Sequence, residues 1–377
     1  MVPRPEGPTF TTHTEDSTVG ARSYGSHVRT VKPISMALVV LVSACVGGGE
    51  AQPVSTTRRP ATEDSTSTSV PASTTIRSMS PEAEEYLDEA LRLMEKHSIN
   101  SARVDWDEMR DLAYRVARHA QTPAQTHGAI VTVLPLLEDD HSIFLSPSEA
   151  EVFSAGEASY VEPEVELLGG SIGYVSIGRY YGDVGAHADA YAADLSERIN
   201  SLSPTPCGWV VDLRNNTGGN MWPMLAGLSP VLGPGTVGFF TYPNGRSEAW
   251  EVGEGAVYWA GTLMVRSVDE PDSAVLDRSV AVLIGGSTGS SGEATATAFH
   301  GRPNTRFFGQ QTAGLTTANE PVVLSDGAMI ALTMSVFTDR DGHEFGQDIS
   351  ITPDETIESS GDALTAAISW LEVEGSC

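Results

Sequence analysis

Apolar residues recur along the chain with two different spacings, which divide the folded part into two predicted regions. Between residues 80 and 137 they return every three to four positions, the spacing of one face of an amphipathic helix. Ser80, Pro81 and Glu82 supply a capping hydroxyl, a first-turn proline and an acid at the positive helix end. We expect helices that start at Ser80 and that span Asp105–His119 and Pro123–Leu137.

From about Glu164 the pattern changes to short β-branched runs that alternate with helical ones. Such runs, apolar on both faces, predict a sheet covered by helices, an α/β fold. The expected strands are 171–180, 208–213, 279–284 and 305–309, and the expected helices are 185–202, 219–228, 291–300 and 361–372. The sequence thus predicts a small helical N-terminal subdomain over residues 80–160 and an α/β core over residues 161–377.

The residues before this folded part have the features of an export signal and a linker. Arg29 and Lys32 precede an apolar stretch that is too short to span a bilayer. The residues that end at Cys45 resemble the lipobox of bacterial lipoproteins, which implies lipidation of Cys45 and anchoring to the membrane outside the cytoplasm. A plain secretory signal with an incidental cysteine is the alternative.

We therefore expect residues 1–45 to be the export signal, and residues 46–79, rich in Ser, Thr and Pro, to be a disordered linker. Residues 1–27 are polar and carry no pattern, which a start codon assigned too early would explain.

Charge and cysteine content narrow the range of partners. Lys and Arg total 22 against 50 Asp and Glu, a formal net charge of -28, so the surface repels phosphate backbones and nucleic acid is not an expected partner. Neither a CxxC nor an HExxH pattern occurs, so no metal site is expected. Cys207 and Cys377 could pair in an oxidising compartment, which the sequence leaves open.

Two Gly-rich segments carry the chemistry, and each lies between a predicted strand and a predicted helix. The segment GGSTGSSGE (285–293) places Ser290 on a tight turn before a helix N-terminus, which supplies free amides and positive potential. The segment DLRNNTGGN (212–220) brings the paired glycines Gly218 and Gly219. A turn that merely caps a helix and a phosphate loop are the alternatives, but the P-loop lysine is missing. A serine nucleophile with an oxyanion hole accounts for both segments.

Together these segments resemble the S41 peptidases, the family of C-terminal processing proteases, and the likeness covers roughly residues 80–375. It implies a ClpP/crotonase-like α/β core and Ser290 as nucleophile. It also implies oxyanion amides from Ser291 and from Gly218 or Gly219. The expected reaction is hydrolysis of peptides or unfolded proteins through an acyl-enzyme, for which no cofactor is needed.

The general base is expected to be a histidine. In the Ser-Lys branch of the family a lysine follows the G-x-x-T-x-G segment, but here that segment is followed by Leu315. The chain's lysines, Lys32 and Lys96, lie in the export signal and the first helix. The segment LLEDDHS, which contains His141, resembles the one that delivers the base in the tricorn-like branch, and histidine suits proton transfer near neutral pH. A helix-end histidine that compensates the dipole is the alternative.

The group that orients His141 is less well defined. Asp140 stands where the tricorn core has an orienting serine, and that branch adds a glutamate from the C-terminal region. The candidates for that glutamate are Glu344, which we prefer, and Gln347. His300 and His343 lie near matched motifs and stay in reserve as bases.

Other functions remain open at this stage. Residues 150–164 leave no space for the PDZ domain that many members use to capture substrate C-termini, so the tail-specific mode is in doubt. A non-catalytic protein that binds an apolar ligand in the same cleft is one alternative, and an esterase acting on small acyl compounds is another. Retention of Ser290, His141 and the glycine pair favours a peptidase.

Overall fold

The computed structural model describes residues 78–155, 158–202, 205–253, 255–267, 276–374 and 377. The predicted export signal, including Cys45, and nearly all of the predicted linker lie outside these ranges. Among the described residues, no helix has both the length and the apolar character that a membrane span requires.

The N-terminal region is helical, as predicted, but its third helix is shorter than expected. The helices are α1 (Pro81–His97), α2 (Trp106–Ala117) and α3 (His127–Val133). The predicted helix 123–137 is broken into α3 and two flanking 3-10 turns, Pro123–Thr126 and Leu134–Leu137. Each turn contains a proline, which lacks the N–H that a regular helix uses. Ser80 caps α1 by accepting a hydrogen bond from Ala83 N at 3.2 Å.

A mainly parallel sheet forms the α/β core. Its order in the described chain is β15-β12-β11-β6-β4-β3, and β3 alone is antiparallel to its neighbour. The strands are β3 (Glu164–Leu168), β4 (Ile172–Ser176), β6 (Gly208–Asp212), β11 (Val280–Ile284), β12 (Thr305–Gly309) and β15 (Glu355–Thr356).

Helices cover both faces of this sheet, so its central strands are buried throughout. Val280, Val282 and Ile284 point into a cluster with the helices of one face, while Ala281 and Leu283 pack on the other. The first face carries α5 (Ala186–Asn200), α6 (Met221–Gly227) and α8 (Ser291–Phe299), and the second carries α9 (Ser360–Val373). The predicted α/β class is confirmed.

A second, antiparallel sheet was not predicted. Its order is β1-β14-β7-β8-β9-β10, with β13 also paired to β14. The strands are β1 (Ile143–Leu145), β7 (Gly235–Thr241), β8 (Ser247–Gly253), β9 (Ala256–Trp259), β10 (Thr262–Arg266), β13 (Thr317–Val323) and β14 (Met329–Asp339). Residues of β13 and β14 share one apolar cluster with α1, α2 and α3, so the helical region packs on this sheet.

The remaining elements are two short helices, α4 (Pro147–Ala155) and α7 (Ser229–Leu232), and a two-stranded ribbon. The ribbon pairs β2 (Ser159–Tyr160) with β5 (Tyr180–Tyr181) in antiparallel register. Because β4, β6, β11 and β12 are parallel, the loops after them meet at one edge of the sheet. Both Gly-rich segments are among these loops.

Cys207 and Cys377 are disulfide-bonded, which settles a pairing that the sequence left open. The bond ties the C-terminus to the start of β6, at the end of the sheet opposite the Gly-rich loops. It closes a separation of 170 residues, and a loop of that length constrains the unfolded chain strongly.

The double variant Cys207→Ser/Cys377→Ser is expected to lower the free energy of unfolding by about 2–4 kcal/mol because its unfolded state is freer. Denaturant titration measures this loss, and reduction of the unmodified chain should reproduce it. The rate at which the serine of the Gly-rich turn reacts should stay unchanged, since the bond lies at the far end of β6. An equal unfolding midpoint with and without the bond would contradict the prediction.

Candidate active site

Ser290 lies on the turn between β11 and α8, in a backbone conformation that non-glycine residues rarely adopt. Its φ is +56° and its side chain is fully buried. Such strain persists only where the surroundings fix it. Here Gly289 N donates to Asn216 O at 3.0 Å and Thr288 Oγ1 donates to Leu213 O at 2.8 Å, so the turn is tied to the neighbouring loop. Ser290 Oγ has no hydrogen-bond partner among the described residues.

The paired glycines lie directly against this serine. A Cβ on Gly218 would come within 3.0 Å of Ser290 Cβ. Both glycines have positive φ, +104° and +112°, which explains why the loop needs glycine at these positions. Gly218 N already donates to Asn216 Oδ1 at 3.0 Å. Gly219 N, in contrast, makes no hydrogen bond within the described part of the chain.

Ser291, the other predicted oxyanion residue, is the first residue of α8. Its Oγ donates to Gly219 O at 2.5 Å. This bond joins the start of the helix to the loop between β6 and α6, residues 213–220, which is called the glycine loop. Backbone N–H groups in the first turn of a helix have no acceptor within the helix. The N–H groups of Ser291 and Gly219 are therefore the two predicted oxyanion donors that can still donate to a ligand.

His141 follows the second 3-10 turn and is 4% exposed. Its Nδ1 shares a 2.7 Å hydrogen bond with Thr317 Oγ1 on β13. Its carbonyl accepts from Asn319 Nδ2 at 2.6 Å, and Nε2 has no partner among the described residues. Burial lowers the pKa of His141 to about 4, so the ring is neutral at neutral pH with one nitrogen unoccupied.

The residues expected to orient His141 are not the ones that hold it. His141 lines a small depression, the histidine depression, to which Asp140 and Thr317 also contribute. Asp140 is exposed, however, and makes no hydrogen bond to the ring within the described chain. Glu344 is exposed and lines a separate depression beside Arg103, so the structure does not bring it to His141. Gln347, the second candidate, does line the His141 depression. Thr317 makes the contact because β13 passes directly beside the histidine.

Sequence reasoning missed Asp139 as well as Thr317. Asp139 Oδ1 accepts hydrogen bonds from His141 N at 3.2 Å and Ser142 N at 2.6 Å, so it fixes the backbone of the histidine. An aspartate that accepts from the N–H two residues later is a recognised turn pattern, so this signal was available. Thr317 gave none, because its role depends on a contact across 176 residues of sequence.

Glu293 connects the serine turn to the wall of the histidine depression. It is fully buried, and Ser290 N donates to it at 2.9 Å, Gly314 N at 2.9 Å and Leu315 N at 2.8 Å. Thr312 Oγ1 adds a fourth hydrogen bond of 2.5 Å. Gly314 and Leu315 line the depression with His141, and Leu315 Cδ1 would lie 3.8 Å from a Cβ on Gly289. One carboxylate thus holds both halves of the site.

The sequence profile of peptidase family S41 matches residues 171–357, a stretch that contains Ser290, both Gly-rich segments and the residues around Glu293. Residues 171–357 of the chain belong to peptidase family S41. The chain is a serine peptidase with the ClpP-like core of that family, as the motifs implied.

This S41 peptidase is similar to several known proteins along most of its length. It is 28% identical over 293 residues to the nisin-resistance protein of Lactococcus lactis subsp. lactis, covering 78% of this chain and 88% of that protein. A lipoprotein from Streptococcus agalactiae superposes with a TM-score of 0.61 and 25% identity, covering 78% of this chain and 98% of that one. The photosystem II D1 C-terminal processing protease shares the fold with a TM-score of 0.53 and 17% identity, covering 74% and 94%.

Proposed function

We propose that this serine peptidase hydrolyses peptide bonds of peptides or unfolded proteins through an acyl-enzyme on Ser290, with His141 as general base. The observation that carries the proposal is that Ser290 Oγ and His141 Nε2 are both buried and both lack a partner among the described residues. Leu315 packs near the serine turn and lines the histidine depression, which supports their proximity. A buried polar atom without a partner is unfavourable, so its presence calls for an explanation, and a catalytic role is one.

Each group has a step in this mechanism. His141 Nε2 takes the proton of Ser290 Oγ as the oxygen attacks the substrate carbonyl, and returns it to the leaving amine. The N–H groups of Ser291 and Gly219 donate to the oxyanion of the tetrahedral intermediate, since Gly218 N is already bonded to Asn216. Thr317 accepts from His141 Nδ1–H and so fixes the tautomer that leaves a lone pair on Nε2. Water then hydrolyses the ester.

The small depression beside His141 argues against the non-catalytic alternative. Its volume is about 10 Å³, and polar or charged residues supply most of its lining. Sites for apolar ligands usually measure about 300–1,000 Å³ and are lined by apolar side chains. A peptide must displace part of this wall to reach Ser290, whose side chain is fully buried.

Labelling with a fluorophosphonate probe tests the nucleophile and the base. The full chain should become labelled on Ser290, while Ser290→Ala and His141→Ala should not react, because one lacks the nucleophile and the other its base. His343→Ala is the matched control, since His343 is an exposed histidine and its loss should leave labelling intact. An unlabelled folded wild type, or a labelled Ser290→Ala variant, would overturn the proposal.

Substrate assays separate the remaining alternatives. One relative is named a nisin-resistance protein, so nisin is a suitable first peptide, with a reduced, unfolded protein as the second substrate and a nitrophenyl ester as the third. New termini found by mass spectrometry in either polypeptide support the peptidase. Cleavage of the ester alone, with both polypeptides intact, would favour the small-molecule esterase.

We also propose that the protein is anchored outside the cytoplasm through a lipid on Cys45. The structural relative described as a lipoprotein supports this, and so does the Cys207–Cys377 disulfide, since such bonds persist in oxidising compartments. Metabolic labelling with an alkyne-bearing fatty acid should mark the wild type and not Cys45→Ala, and the variant should leave the membrane fraction. Lipid incorporation into Cys45→Ala would contradict the proposal.

A further inference from the structure

The β2–β5 ribbon lies outside both large sheets, yet Tyr180, the first residue of β5, is hydrogen-bonded to the glycine loop on both sides of Gly219. Tyr180 N donates to Gly218 O at 3.2 Å, and Tyr180 O accepts from Asn220 N at 2.7 Å. Asn220 Nδ2 adds a 3.0 Å hydrogen bond to Gly182 O just beyond β5. The backbone that flanks Gly219 is thus held by one short segment.

These bonds determine where the Gly219 N–H points. Gly218 C=O and Gly219 N–H belong to one planar trans peptide unit, so they point in opposite directions. Because the Gly218 carbonyl accepts from Tyr180 N, the Gly219 N–H must point away from Tyr180. An oxyanion donor stabilises the transition state most when its direction is fixed before the reaction, because no reorganisation is then needed.

The ring of Tyr180 is held in turn by two other tyrosines. Tyr180 is fully buried, its ring is stacked on Tyr160 at 5.6 Å with an interplanar angle of 7°, and it meets the edge of Tyr191 at 4.8 Å. Tyr191 belongs to α5 and is 5% exposed, whereas Tyr160 is 42% exposed and covers Tyr180 from the solvent side. Such aromatic pairs are worth about 0.5–1.5 kcal/mol beyond the area that they bury.

The tyrosines act here through their rings. The hydroxyls of Tyr180 and Tyr191 make no hydrogen bond to described residues. Burial raises the pKa of Tyr180 to about 12, so the phenol stays neutral and supplies no acid or base at ordinary pH. Phenylalanine at position 160 or 180 should therefore preserve the ring packing, whereas alanine should remove it.

We propose that Tyr180 is a positioning residue that aims the Gly219 N–H at the oxyanion, and that the Tyr160 ring keeps Tyr180 in place. The inference rests on the proposed function, which assigns the oxyanion to Gly219 N. The rate of acyl transfer then depends on Tyr160, a surface residue that lies outside the glycine loop.

The test compares Tyr160→Ala, Tyr160→Phe and a matched control, Tyr258→Ala, in the full chain. Tyr258 is a half-buried tyrosine on β9, a strand of the antiparallel sheet that contains none of the proposed site residues Ser290, Gly219 and Tyr180. Tyr160→Ala is expected to lower kcat by about tenfold with KM nearly unchanged, because an oxyanion donor acts in the transition state. The Ki of a peptidyl trifluoromethyl ketone, which forms a tetrahedral adduct, should rise by the same factor. Tyr160→Phe and Tyr258→Ala should match the wild type.

The outcomes separate this inference from the proposed function. A wild type that forms no adduct on Ser290 overturns both. Normal wild-type adduct formation with unchanged kcat in Tyr160→Ala overturns the positioning role alone. A loss of kcat/KM in which KM rises while the inhibitor Ki stays constant would also overturn the positioning role. A Tyr160→Phe variant that is as impaired as Tyr160→Ala would do the same. Thermal unfolding of each variant identifies a loss caused by instability.

Discussion

Replacing Gly219 with alanine is expected to lower kcat/KM by about 10²–10³-fold, the usual cost of removing one oxyanion donor. An alanine Cβ at this position would lie 1.9 Å from Tyr180 O, a distance that no real Cβ contact reaches, and the φ of +112° is itself unfavourable for alanine. The loop must therefore move, and the hydrogen bonds that orient the Gly219 N–H break. Steady-state peptide hydrolysis and the rate of fluorophosphonate labelling measure the loss.

Gly245→Ala provides the control for backbone strain. Gly245 lies in the turn between β7 and β8 with a φ of +81°, and a Cβ there meets nothing within 4 Å. This variant should lose about 1 kcal/mol of stability from the positive φ and keep its activity. If Gly219→Ala is folded and fully active, the glycine loop is not the oxyanion hole.

The parallel core was predictable because its signals are local. Val280–Ile284 and Gly208–Asp212 are apolar on both faces and end at Gly-rich turns, a combination that indicates buried parallel strands. The antiparallel sheet escaped prediction for the opposite reason. β7 to β10 alternate polar and apolar residues only partly, and β14 is buried throughout although it contains Thr and Ser. Its burial comes from packing against α1, α3 and α8, which periodicity does not encode.

The residues of the site show the same difference between local signals and long-range contacts. Ser290 and the glycine pair were recognisable because strand, turn and helix follow one another in sequence. The partners of His141 were not, since Thr317 and Asn319 reach it from a strand that sequence reasoning did not predict. Glu344 was the preferred orienting glutamate, but it forms a bridge with Thr338 near the end of β14 and lines a different depression. Charge and proximity in sequence do not determine which side chains meet.

The pH dependence of the reaction should reveal a second titrating group besides His141. Burial raises the pKa of Glu293 to about 7, even though four hydrogen bonds favour its charged form. The carboxylate accepts from all four donors only when it is ionised, so activity should fall as the pH drops through about 7. His141, whose pKa burial lowers to about 4, would by itself stay a competent base to much lower pH.

Glu293→Gln should therefore lower kcat/KM by about 10²-fold. It should also remove the fall in activity below about pH 7, which is the acid limb of the pH profile. Each carboxylate oxygen accepts from two donors, Oε1 from Thr312 and Gly314, and Oε2 from Ser290 and Leu315. Whichever way the glutamine amide turns, its NH₂ faces at least one backbone N–H that it cannot accept from, and each buried donor left unpaired costs about 1–3 kcal/mol. The Ser290 turn and the wall of the histidine depression then lose their common support.

Thr312→Val is the matched control for Glu293→Gln, because it removes one donor and keeps the carboxylate. It should retain the acid limb and shift it to higher pH, since the Thr312 hydrogen bond lowers the pKa of Glu293. Profiles of kcat/KM from about pH 4 to about pH 9 measure both effects, because the acid–base groups of enzymes titrate in this range. In Glu293→Gln the remaining activity should stay nearly constant down to about pH 5, where protonation of His141 begins. An acid limb that stays near pH 7 in this variant would assign that titration to another group and remove Glu293 from the pH response.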